Sequence, residues 1–177
     1  MTAPILIVSG PPGAGKTTLA RRLAETIDAP AVHLHTDDFY NSIRSGFILP
    51  WLPESATQNL VVTKAIVAAA SVYVTGGYRV IIDGVVGPWF VGQYRDEAER
   101  LGAALDYLVL RADRVVVVAR VRDRQDAPLA EYPPGIFEEF ADLGPLEPHA
   151  LDTTHASLDA LVAAITPDLA QGRYRLT

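Results

Sequence analysis

Apolar residues in this chain follow two spacings that alternate along its length. Short unbroken runs at 4–9 (PILIVS), 31–35 (AVHLH), 79–83 (RVIID) and 106–111 (DYLVLR) read as strands buried on both faces. Between them, apolar positions recur every three or four residues, as on one face of a helix. Leu19, Leu23 and Ile27 stand four apart and predict a helix over 16–27. Ser55 and Gln58 have the spacing of a capping box, ahead of a long apolar helix that reaches about Val74 and closes at Gly76–Gly77. Further helices are expected over 91–101, from Asp113 to about Arg124, near 135–142 and over 156–165, with a short strand near 148–152. This alternation predicts an α/β fold, one domain over 1–177 with a parallel sheet covered on both faces.

Composition narrows the class. The chain has 177 residues, 49% of them hydrophobic and 20% charged, which is enough for a core without staples. It contains no cysteine, which excludes disulfides, thiolate metal sites and a cysteine nucleophile. The longest apolar runs fall short of the roughly 20 residues of a membrane span. No basic region and cleavage site of a signal peptide precede the first strand, so the expected compartment is the cytoplasm, with no membrane partner. Lys and Arg total 15 against 21 acidic residues, a net charge of −6. Between Arg124 and Arg173 lie nine acidic residues and no Lys or Arg. Nucleic-acid binders show a basic face, so this balance disfavours such a partner.

Four groups of residues carry candidate chemistry. Gly10 to Thr17 (GPPGAGKT) matches G-x-x-x-x-G-K-[ST] in full, between a buried strand and an amphipathic helix. Gly10, Gly13 and Gly15 let the backbone curl so that its N–H groups face phosphate oxygens, and the helix adds its positive end. Lys16 then reaches the β- and γ-phosphates, and the Thr17 hydroxyl is a ligand for Mg²⁺. Asp83 ends an apolar run, at the strand edge where α/β sheets bind ligands, and suits the same metal or a helix cap. Asp37 and Asp38 follow the second strand and point in different directions, so they serve different ends. Asp37 is expected to take the proton of an attacking hydroxyl and Asp38 to cap a helix or support substrate, although the opposite assignment stays open. On the helix after the fourth strand, Arg120 and Arg124 share a face and can meet a transferred phosphoryl group or simply offset the helix dipole.

The acceptor side offers less. Phe39, Tyr40, Phe47 and Trp51 cluster between the aspartate pair and the long helix, and Trp89 with Phe90 follows the third strand. Such aromatics suit a ring-bearing ligand and suit ordinary packing equally well. Arg44 is the one basic side chain near the first cluster. His35, beside Asp37 at a strand end, is expected to pack rather than catalyse, and His33 shares its face by strand periodicity.

Taken in order, GPPGAGKT, the DD pair, IIDG, the paired arginines and LDTTH at 151–155 resemble the small P-loop kinases that phosphorylate metabolites or antibiotics. The ending resembles chloramphenicol phosphotransferase, and the layout is similar to gluconate and shikimate kinases. Bacterial ATPase or kinase-like proteins of this group also carry TDDF, PWLP and DGVV segments. The resemblance covers nearly the whole chain. It implies a three-layer P-loop NTPase fold with a five-stranded parallel sheet, an acceptor segment at about 37–60 and a small lid at about 121–140. It implies ATP and Mg²⁺ as cofactors and a small-molecule hydroxyl acceptor, in a monomer or homodimer. Carried over, Gly10, Pro11, Pro12, Gly13, Ala14, Gly15, Lys16, Thr17 and Thr18 form the nucleotide cradle. Lys16, Asp37 and Arg124 are catalytic, Thr17 and Asp83 hold the metal, Arg120 contacts the nucleotide, and Arg120 with Arg124 starts the mobile lid. The stretch from Asp152 to Thr154 lies beside the adenine, with Thr153 as its contact. Asp38, Phe39, Arg44, Trp51 and Trp89 are left for the acceptor. The Gly-Gly-Gly element of shikimate kinase is replaced by DGVVGPW. A regulatory or hydrolytic ATP-binding module is the competing reading, and a nucleoside or polynucleotide-end kinase a third.

Overall fold

The computed structural model describes residues 2–117 and 135–176. Among these residues five parallel strands form one sheet: β1 (Ile5–Ser9), β2 (Ala31–His35), β3 (Arg79–Asp83), β4 (Leu105–Arg111) and β5 (Ala150–Asp152). Their order is β2-β3-β1-β4-β5. The first strand is therefore central, with Ile7 level with Ile82 on one side and with Tyr107 on the other. The helices are α1 (Lys16–Thr26), α2 (Thr36–Asn41), α3 (Ala56–Thr75), α4 (Val91–Leu101), α5 (Gly135–Glu139) and α6 (Leu158–Ala170).

Strand periodicity divides the core in two. Ile5, Ile7, Val80, Ile82, Leu105, Tyr107 and Val109 face α3 and α4. Leu6, Val8, Ile81, Leu108 and Leu110 face α1 and α6. Each such side chain contributes about 1.5–3 kcal/mol by leaving water, so the three central strands anchor everything at their ends. Val32 and Leu34 pack with the α3 side, which turns His33 and His35 to the α1 side. Asp83 shares the parity of Ile81 and faces α1 as well. Two histidines and one aspartate are thus delivered to one face by alternation alone.

Bounds of β2, β3 and α4 coincide with the sequence expectation, β4 begins one residue earlier, and α6 runs on through Pro167 to Ala170. The expected capping box is absent. Ser55 instead donates to the carbonyls of Pro50 and Leu52, at 2.8 and 2.7 Å. Gln58 clasps Ile48, accepting from its N–H at 2.8 Å and donating to its carbonyl at 2.6 Å. The loop after α2 folds back over the first turn of α3, and that contact claims both side chains. The segment Pro53–Thr75 is long and apolar enough to cross a membrane by length and composition, contrary to the sequence reading. Here Val62, Ile66, Ala70 and Val74 lay it against the sheet. Of the helix expected from Asp113, residues 114–117 are described. Arg120, Arg122, Arg124 and most of the expected lid lie outside the described residues.

Candidate active site at the carboxyl edge of the sheet

The loop between β1 and α1 adopts the conformation its glycines permit. Gly10, Gly13 and Gly15 have φ of 136°, 78° and 93°. A Cβ on Gly10 would stand 2.2 Å from the Leu110 carbonyl oxygen, so this glycine is required by both backbone and neighbour. Gly15 caps α1, and Lys16 and Thr17 begin it, so the positive helix end opens into the loop. Lys16 is buried, with Nζ donating to the Pro11 carbonyl at 2.9 Å. The cation is thereby held over the loop.

Thr17 links this loop to β3. Its hydroxyl donates to Asp83 Oδ2 at 2.6 Å. Asp83 is fully buried and is also met by His33 Nε2 on Oδ1 and by His35 Nδ1, 3.1 Å from each oxygen. Burial by itself opposes the Asp83 charge, but the hydrogen bonds from His33, His35 and Thr17 outweigh it and hold the carboxyl far below the usual carboxylate range. The same Asp83 hydrogen bond raises the His35 pKa against the opposing effect of burial, and the charges of Asp83, Asp37 and Asp38 add to it. A hydroxyl and an ionised carboxylate side by side are hard oxygen donors, the set that suits Mg²⁺. The sequence reading expected His35 to pack; instead it belongs to this cluster.

Asp37 and Asp38 occupy the first turn of α2, and both are exposed. Asp37 Oδ2 lies 3.5 Å from His35 Nε2, which ties it to the Asp83 cluster. The Asp38 backbone carbonyl accepts from Ser42, and the structure gives its carboxylate no cap role. Beneath them Thr36 is buried against Gly84, where a Cβ would meet Thr36 Oγ1 at 1.9 Å. The following loop is pinned by Ser9 and Tyr107: Ser9 accepts from the Val86 N–H at 3.1 Å, and both hydroxyls donate to the Val86 carbonyl at 2.7 Å. Gly87 leaves room for the ring of Trp89, which a Cβ would meet at 2.2 Å. Sequence reasoning missed both glycines, whose need lies in distant partners.

The aromatic residues named for the acceptor divide. Trp89 is half-exposed and braced by Phe90 and Phe140, at ring separations of 6.4 and 6.1 Å. Phe39 and Tyr40 pack against the α3 core, and Tyr40 donates to Asn59 Oδ1 at 3.2 Å. Burial, reinforced by the Asp37 charge, pushes the Tyr40 hydroxyl up to about 12. Phe47 and Arg44 are exposed, and Trp51 is half-buried in the turn before α3. On the other flank, a cavity of about 470 Å³ is bounded by Pro11, Arg111, Asp113, Phe137, Asp152 and Thr154. Thr153 is buried beside it, its N–H donating to the Arg111 carbonyl at 2.7 Å.

A glycine loop after a central strand, a helix end behind it and a buried aspartate on the next strand define a P-loop nucleotide-binding protein of the α/β class. The chain belongs to the AAA_33 family, described as an AAA domain, whose model matches residues 5–137. It is 30% identical over 113 residues to a cytidylate kinase of Pyrobaculum arsenaticum, a match covering 64% of this chain and 59% of that protein. The chain thus spans less than two thirds of that curated relative's length. Among solved structures, the Mycobacterium tuberculosis APS kinase CysC, in complex with AMPPNP and APS, superposes with a TM-score of 0.73 at 13% identity, over 96% of this chain and 98% of that one. A sugar kinase from Janibacter sp. HTCC2649 gives 0.66 at 19% identity, over 95% of each chain. The fold is that of the P-loop kinases.

Proposed function

We propose that this protein is an ATP-dependent phosphotransferase that moves the γ-phosphate to a hydroxyl of a small molecule, a metabolite or an antibiotic. One observation carries the reading: Thr17, at the mouth of the phosphate loop, is hydrogen-bonded to Asp83, and Asp37 stands beside the same cluster on the open side. A hydrolytic module would aim the same carboxylate at water, so dependence of turnover on an acceptor is what separates the two readings. In this reading the residues from Gly10 to Thr18 cradle the phosphates, and Lys16 meets their charge. Thr17 and Asp83 hold Mg²⁺, which when bound supplies positive charge against the β- and γ-phosphate oxygens. Asp37 takes the hydroxyl proton. The cavity beside Pro11 receives the adenine, next to Asp152, Thr153 and Thr154. The segment 37–60, with Asp38, Phe39, Arg44 and Trp51, joins Trp89 in receiving the acceptor. Arg120 and Arg124 are assigned to the transferred phosphoryl group on the sequence pattern alone.

The cytidylate kinase relative gives weight to a second acceptor class, nucleoside monophosphates, in which a phosphate oxygen rather than a hydroxyl oxygen attacks the γ-phosphorus and ADP leaves. ATP consumption measured alone and with hydroxylated metabolites, antibiotics, nucleosides and nucleoside monophosphates separates the cases. The expected result is acceptor-dependent turnover with label transferred to an alcohol oxygen. Transfer to the phosphate of CMP makes the protein a nucleotide kinase. Hydrolysis unchanged across the whole panel makes it a regulatory ATPase.

A further inference from the structure

His35 is not used by the function proposed above, yet its ring spans two carboxylates that come from different elements. Nδ1 lies 3.1 Å from both oxygens of Asp83 at the end of β3. Nε2 lies 3.5 Å from Asp37 Oδ2 in the first turn of α2. His35 is also the residue at which β2 becomes α2, with an extended backbone at φ −89° and ψ 121°. Its own place is over-determined, because Asp83 is gripped from the other side by His33 and from above by Thr17. Asp37, by contrast, is 57% exposed. A solvated aspartate samples several rotamers, and a catalytic group displaced by about 1 Å costs on the order of 10²-fold in rate.

We propose that His35 is a positioning residue: Asp83 fixes it through Nδ1, and through Nε2 it holds Asp37 in line with the carboxylate beside Thr17. The state of the phosphate side is in this way passed to the acceptor side through one imidazole. The inference rests on the assignment of Thr17 and Asp83 to the metal and of Asp37 to the acceptor. It adds that the two sites are mechanically joined, and by which atoms. His33 serves as the counter-brace, keeping Asp83 from turning away when Asp37 pulls on the shared ring.

The test uses the full chain with ¹³C-labelled aspartate carboxyls, Mg²⁺ with AMPPNP as the probe, and NMR as the readout, so that no acceptor is needed. In the wild type the probe should shift the Lys16 and Thr17 amide signals and also the Asp37 carboxyl signal, with the exposed Asp28 as the reference that does not move. Two variants each break one end of the bridge. His35→Asn places an amide where Nδ1 stands, reaching Asp83 but not Asp37. His35→Gln places one where Nε2 stands, reaching Asp37 but not Asp83. Both should keep the Lys16 and Thr17 response and a thermal midpoint near the wild type's, while the Asp37 response falls to that of Asp28. A response that persists in either folded variant, or an Asp37 signal that never moves in the wild type, overturns the proposal and leaves the nucleotide reading standing. No response at Lys16 and Thr17 in the wild type defeats the nucleotide reading and the proposal with it.

Discussion

The two flanks of the sheet edge are made of different materials. The phosphate flank is backbone: glycines in the left-handed region, a helix end and a carboxylate with no exposed surface. The flank assigned to the acceptor is side chain: Phe47, Leu49 and Leu52 are 40% exposed or more on a loop fastened by Gln58 and Asn59, and Trp89 is as open on the loop that Ser9 and Tyr107 pin. A triphosphate has one shape, and a fixed backbone suits it. An acceptor is read by side-chain identity, which can change while the loop beneath stays fastened. Damage to the first flank should therefore lower turnover equally with every acceptor, and damage to the second should alter only some of them.

The largest effect should come where the flanks meet. Asp37→Asn is expected to lower turnover by about 10²–10⁴-fold, the range of general-base contributions, with nucleotide affinity nearly unchanged. Steady-state kinetics beside calorimetric titration of AMPPNP checks this, and a larger loss in Asp38→Asn would exchange their roles. Lys16→Ala should cost about 10²–10³-fold in turnover, as for the loss of one preorganised charge-stabilising donor, and equally for every acceptor. Its far-ultraviolet spectrum and unfolding midpoint should match the wild type, since the lysine serves the loop and not the core.

Below the acceptor flank, Asn59 donates to the Pro50 carbonyl at 2.7 Å and to Ser55 Oγ at 2.9 Å, and accepts from Tyr40. Asn59→Ala removes three hydrogen bonds and takes from the half-buried Tyr40 hydroxyl its acceptor, which should cost about 1–3 kcal/mol, read from urea unfolding. The comparison predicts that KM for the acceptor rises while that for ATP does not. The smallest effect concerns Glu147, which meets Arg111 through both oxygens at 2.7 and 2.9 Å. That contact, helped by the Leu143 N–H, lowers the Glu147 carboxyl to about 2. A depressed acid stabilises the fold above its ordinary pKa and loses that contribution as pH falls through the folded value. Glu147→Gln should therefore melt slightly lower than the wild type at neutral pH, and the gap should close between about pH 4.5 and about pH 2.

Much of the fold was legible because the central strands are unbroken apolar runs, and such runs read alike in sequence and in structure. The phosphate loop was legible because its chemistry is local, with all its parts inside eight residues. The histidine cluster was not. His33 and His35 meet Asp83 across 50 and 48 positions, and nothing near them in the chain signals a partner. The H-x-H spacing on a strand placed them on one face, but the parity of Asp83 relative to α1 emerged only with the sheet order. Ser55 and Gln58 misled for a related reason: a local cap competed with a loop folding back from ten residues away, and the loop won. Gly84 and Gly87 drew no notice in the sequence, because their smallness is demanded by Thr36 and by the ring of Trp89.

The central place of β1 also bears on how the protein is made. Ile5 pairs with Val80 on one side and with Leu105 on the other, so β1 waits for strands made well after it. The close approach of Gly10 to the Leu110 carbonyl can form only after that residue has left the ribosome. Until then the nascent chain carries an apolar strand with two open edges, and parallel pairing over such separations is slow and prone to aggregation. The loop after β1 should thus take its shape only once β4 has been made, and a chain interrupted before β4 should depend on chaperones although its phosphate-loop sequence is complete.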